Sequence, residues 1–88
     1  MESTEEFWVD VGYVKCSKYR MYILEYLYGE ARSRAQIRDH IGIKIYSEYI
    51  NQMTEHDLLV CINPELKMDR IYKLSDKGEY MAKLLFRK

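Results

Sequence analysis

The sequence predicts a mainly helical α+β fold in the order helix-helix-helix-hairpin-helix. Three observations lead there. Apolar residues recur at helical spacing in four segments, capping residues bound most of them, and two short β-prone runs around a polar turn separate the last two helices. With 88 residues the chain is long enough for one domain and too short for two. Apolar residues make up 48% and charged residues 32%, a globular rather than a disordered composition. A chain of this size buries about two-thirds of its unfolded surface, so pairing of copies would add useful stability.

Residues 7–14 place Phe7, Val9, Val11 and Tyr13 at alternate positions, which predicts a short strand or an extended arm. Residues 1–11 carry four acidic side chains and no basic one, and are expected to form an acidic N-terminal arm. The domain proper then covers residues 12–88, where all 14 basic residues face the remaining ten acidic ones. The formal net charge of zero thus divides into an acidic start and a mildly basic body. That balance permits phosphate contacts without requiring them.

The first predicted helix spans residues 17–28, with Ser17 as N-cap and Gly29 after its end. Arg20, Ile23, Leu24 and Leu27 share one face, and Tyr19, Tyr22 and Tyr26 form a stripe on the next. The run S-R-A-Q at residues 33–36 is a capping box and opens a second helix over residues 34–41. Ala35, Ile37 and Ile41 are its expected inner positions, and Gly42 ends it. A third helix starts near Lys44 or Ile45 and reaches His56, with Tyr46, Ile50 and Met53 inward. Two short helices around a Gly-containing turn make a helix-turn-helix candidate. Residues 59–62 and 70–74 read as the strands of a hairpin. Ser75 caps a last helix over residues 76–86, whose apolar stripe is Tyr80, Met81, Leu84 and Leu85.

Several classes are disfavoured. No apolar run approaches the ~20 residues that cross a bilayer, and the polar start lacks the basic and apolar regions of a signal peptide. The expected location is cytoplasmic. Cys16 and Cys61 have no Cys-x-x-Cys spacing and are expected to be reduced, buried and unpaired. His40 and His56 lack partners at zinc-ligand spacing, so neither a metal nor another cofactor is expected. None of these four residues sits in a catalytic motif and no Gly-rich phosphate loop occurs, so the chain is not expected to be an enzyme.

The segments VKCSKYRMYILEYL, RAQIRDHIGI and DLLVCINPELKMDRIYKLSDKG carry a resemblance. From about Gly12 to Leu85 the chain resembles the small archaeal winged-helix transcriptional regulators of the MarR/ArsR-like superfamily. The resemblance implies a winged helix-turn-helix fold, regulation of transcription and double-stranded DNA as partner. Two positions depart from that pattern. Ser47-Glu48 stands where these regulators often carry Ser-Arg, and Asp57 stands where they usually place Gly before the wing strand.

On this reading the third helix enters the major groove, and Lys44, Ser47, Glu48, Asn51 and Gln52 are the candidate base readers. Asn51 leads them, because its amide can pair bidentately with adenine. Arg32, Arg34 and Arg38 around the second helix, with Lys67, Arg70 and Lys73 on the hairpin, are the candidate phosphate contacts. Tyr19, Tyr22, Tyr26, Tyr80 and Leu84 are the candidate interface of a homodimer, since aromatic residues with polar tips are enriched at interfaces. The alternative function is a winged-helix protein-interaction module in a larger assembly. It is favoured by the zero net charge and by Glu48 and Glu55 on the outer face of the third helix.

Overall fold

In the computed structural model, which describes residues 4–42, 44 and 46–87, the chain opens with a helix where the alternation pointed to a strand. Helix α1 spans Glu5–Lys15. The Thr4 hydroxyl accepts from the Phe7 amide at 3.1 Å, Glu5 and Glu6 sit at the positive end of the helix dipole, and Lys15 sits at the negative end. Phe7, Val11 and Val14 are buried at spacings of four and three, while Val9 is 66% exposed. Residues 7, 9, 11 and 13 do alternate, but burial selects the 7, 11, 14 subset. The expected arm boundary at residue 11 therefore falls inside one continuous helix.

Helix α2 (Lys18–Tyr26) starts where Ser17 accepts from the Arg20 amide at 3.4 Å, and it buries Ile23, Leu24 and the following Leu27 completely. A two-residue strand β1 (Arg32–Ser33) follows, too short to be visible as a pattern. The predicted capping box then forms. Ser33 Oγ accepts from the Gln36 amide at 3.1 Å, and Gln36 Oε1 accepts from the Ser33 amide at 2.8 Å. Helix α3 (Arg34–Ile41) buries Ile37 and half-buries Ile41, but Ala35, expected inward, is exposed beside the hairpin loop. Gly42 closes it at φ 70°, a left-handed conformation that glycine adopts without a Cβ penalty.

Helix α4 (Tyr46–Glu55) buries Ile50 and Met53 and half-buries Tyr46, as its spacing predicts; the Ile45 start lies outside the described residues. Strands β2 (Leu59–Cys61) and β3 (Ile71–Leu74) pair antiparallel, and β1 adds to the other edge of β3, giving the order β1-β3-β2. Tyr72 on the central strand stands between Arg32 and Cys61 and is buried. Helix α5 (Asp76–Leu85) opens at Ser75, whose Oγ accepts from the Gly78 amide at 3.0 Å and donates to the Asp57 carbonyl at 2.6 Å. The described residues thus make a mainly helical α+β fold of five helices and a three-stranded antiparallel sheet around one core. No helix among them is long and apolar enough to cross a membrane.

Two residue-level expectations change. Cys16, expected in the core, is exposed just past the end of α1, while Cys61 is half-buried; both are unpaired. Asp57 has φ 59°, the left-handed region that disfavours side chains. Asp57→Gly is expected to be neutral or to add up to about 1 kcal/mol, whereas Asp57→Val should destabilise, as read by urea unfolding.

Candidate nucleic-acid interface

Helices α3 and α4 meet the β2–β3 loop around Tyr46. A cleft of about 250 Å³ between the start of α3 and the loop is lined by Ser33, Arg34, Ala35, Arg38, Tyr46, Met68 and Asp69. Next to it, a shallow depression is bordered by Arg38, Asp39, Gly42, Lys44 and Tyr46. Three cations, Arg34, Arg38 and Lys44, therefore gather beside Tyr46 at the start of α4, tempered by Asp39 and Asp69.

The candidate base readers separate into two groups. Lys44, Glu48 and Asn51 are exposed. Ser47 is half-buried and accepts a short hydrogen bond from an Arg34 terminal nitrogen. Gln52 turns the other way: its Oε1 accepts from the Tyr13 hydroxyl at 3.3 Å, so it fastens α4 to α1. That partner was invisible while residues 7–14 read as a strand.

The candidate phosphate contacts divide similarly. Besides Ser47, Arg34 donates to the Tyr72 hydroxyl at 3.2 Å, and its guanidinium lies 5.7 Å from the Tyr46 ring. It therefore braces α3 against α4 and β3 at the rim of the cleft. Arg32 pairs with Glu30 at 3.1 Å and covers the Tyr26 ring at 4.3 Å. Arg70 donates to the carbonyls of Leu66 at 2.7 Å and Pro64 at 3.4 Å, holding its own loop closed. Asn63 reinforces that loop by accepting from the Ile71 amide at 2.8 Å and donating to the Asp69 carbonyl at 3.2 Å. Lys73 stands across from Val60 on the outer sheet face and borders Asp57 and Asp76. Arg38 and Lys67 remain exposed. The only described ion pair of Arg38 is an exposed one with Asp39 at 3.2 Å, a contact weak enough for another anion to replace.

The tyrosine stripe is mostly used within the chain. Tyr19 packs on Tyr49 at 5.7 Å, Tyr26 stacks on His40 at 3.9 Å, Tyr80 packs on Phe7 at 5.2 Å, and Leu84 leans on the core. Tyr22 alone of the five expected interface residues is exposed.

A second polar constellation, which sequence reasoning missed, lies at the other end of α4. Asp10 accepts from His56 Nδ1 at 3.0 Å and from Lys77 Nζ at 2.9 Å, joining α1 to the end of α4 and the start of α5. A carboxylate only accepts, so His56 carries its proton on Nδ1 there. The His56 ring stacks on Tyr13 at 3.8 Å, and Arg20 covers Tyr13 at 3.9 Å while donating to its carbonyl at 2.7 Å. Burial alone would raise the Asp10 pKa, but the bonds and charges of Lys77 and His56 outweigh it and hold the carboxyl below its ordinary value. Burial also raises the Tyr13 phenol, against the opposing pull of Arg20. No signal short of an α1 helix placed against α4 and α5 could have found this triad.

Among the described residues no group of three or more His, Cys, Asp and Glu is placed to hold a metal ion. Comparisons with protein-family models, curated proteins and solved structures find no match to this chain.

Proposed function

We propose that this chain is a winged-helix transcriptional regulator that binds duplex DNA as a homodimer, with α4 in the major groove and the β2–β3 loop as the wing on the backbone. The carrying observation is the gathering of Arg34, Arg38 and Lys44 around Tyr46 at the start of α4, a helix on which Glu48 and Asn51 are exposed. The element order from α2 to β3 supports the same reading, since a helix, a short strand, two helices and a hairpin present α4 outward. Within it, Asn51 is the base reader, Arg38, Lys44 and Lys67 meet phosphates, and Ser47, Gln52, Arg34 and Arg70 hold the surface in shape.

The test uses fluorescence anisotropy on duplexes selected from a random pool and on unselected duplex, each over a range of salt. Affinity for unselected DNA is expected to fall with salt at a slope of about −0.9 per phosphate contact. Asn51→Ala should cost about 1–3 kcal/mol on the selected site and little on random DNA. Glu48→Arg should tighten random-duplex binding and steepen its salt dependence, because it replaces an anion on the groove face. The alternative, a protein-interaction module, draws on the apolar residues exposed along the hairpin and its loop, Ile62, Leu66 and Met68, the last 78% exposed. Absence of salt-dependent DNA binding, unchanged by either substitution, would favour that alternative.

A further inference from the structure

Helix α1 has an outward face with an unusual composition. Its inward side carries Phe7, Val11 and Val14, and at 3.6 residues per turn Gly12 falls on the outward side, roughly 130° from their mean direction. Around Gly12 lie Glu5, Trp8, Val9 and Lys15, all exposed; Trp8 is 54% and Val9 66% exposed. Glycine is among the poorest helix formers, and nothing among the described residues calls for it here, since a Cβ on Gly12 would meet none of them within 4 Å. Neither Glu5 nor Lys15 has an ion-pair partner among the described residues.

We propose that α1 is a dimerisation helix. Two copies pack antiparallel, with Trp8 of each over Gly12 of the other and Glu5 of each paired with Lys15 of the other. One register satisfies both contacts, because the 5–15 and 8–12 pairs are centred on the same position, residue 10. A parallel pairing would set Glu5 against Glu5 and Trp8 against Trp8. The antiparallel pair is self-complementary about a twofold axis, as a closed dimer requires. Gly12 supplies the hole for a bulky neighbour, and Trp8 is the aromatic anchor that interfaces favour. An 11-residue helix is only about 16 Å long, so the contact is modest and the dimer forms and dissociates with concentration.

This inference rests on the dimeric part of the functional reading and is independent of DNA binding. Trp8 is the only tryptophan, so its emission reports directly on this surface. Sedimentation velocity and tryptophan emission are followed across a dilution series of the full chain. At high concentration the mass is expected at twice 10.7 kDa with blue-shifted emission, and dilution should lower the mass and red-shift the emission together. Gly12→Leu should weaken the dimer by at least about tenfold and abolish the blue shift, while its melting temperature at monomer concentrations stays equal or rises. Glu5→Lys and Lys15→Glu should each weaken the dimer, and the double reversal should restore it. A monomer at every concentration overturns the homodimer itself. A dimer that survives Gly12→Leu but is split by Tyr22→Glu, or whose emission ignores dilution, overturns this surface and keeps the dimer. Failure of the double reversal to restore pairing overturns the antiparallel register.

Discussion

Replacing Gly78 by valine is expected to cost the fold about 3 kcal/mol or more, a large share of the stability of a domain this small. Gly78 lies buried in the first turn of α5, where that helix crosses the segment leading into β2. A Cβ built on it would stand 2.4 Å from the Leu58 carbonyl oxygen and 3.2 Å from the Leu74 Cβ. The first contact is with backbone, and that oxygen is already fixed by accepting the Ser75 amide at 2.9 Å. Ser75 in turn donates to the Asp57 carbonyl, so the crossing is held by two bonds and cannot open cheaply. Alanine makes the same clash but gains roughly 1 kcal/mol of helix propensity, so Gly78→Ala should fall between wild type and valine. Gly12→Ala at low protein concentration is the control: the same exchange in open space should be neutral or stabilising. Urea unfolding of the three variants measures the contrast. Equal stability for all of them would show that the close approach of α5 to Leu58 is wrong.

The local devices were legible because each is written in a few consecutive residues. Ser33 with Gln36, Gly42 at the end of α3, Ser17 and Ser75 before α2 and α5, and the Ile50–Met53 spacing all act where they were expected. Helix α1 was not legible, because its apolar positions fit a period of two as well as a helical one. Thr4 and the two glutamates after it were the available signal for a helix start. The site was less readable still, since it depends on where side chains end. Arg34 and Gln52 on short helices and Arg70 in the hairpin loop are polar residues that pattern alone points at solvent. Tyr72 and Tyr13, the partners of Arg34 and Gln52, come from elements whose placement is a tertiary fact, while Arg70 closes on the Leu66 carbonyl of its own loop. Asp57 lies between these cases. The sequence singled the position out, and its backbone is left-handed, at φ 59°.

Asp10→Asn is expected to lower stability by about 1–3 kcal/mol at neutral pH and to remove a specific part of its acid dependence. The Asp10 side chain is 14% exposed and serves two donors at once, so the amide must give up at least one charge-assisted bond. The figure stays in the lower range for broken ion pairs because Lys77 and His56 are 23% and 38% exposed, and water screens what they lose. The direction with pH follows from the depressed carboxyl. Its folded pKa lies below the unfolded value of about 3.9, so its contribution is complete above that value. The contribution is lost as pH falls through the folded value, where proton uptake costs the folded state its two bonds. The gap between wild type and Asp10→Asn in urea unfolding should therefore be widest near neutrality and narrow below about pH 4. A gap of constant size from neutral to acid pH would mean that the carboxylate charge is not what ties α1 to α4 and α5. Because this triad anchors the helix bearing Trp8 and Gly12, Asp10→Asn should also loosen α1 before the remaining helices. Hydrogen exchange should show earlier opening of α1 amides while α2 and α4 keep their protection.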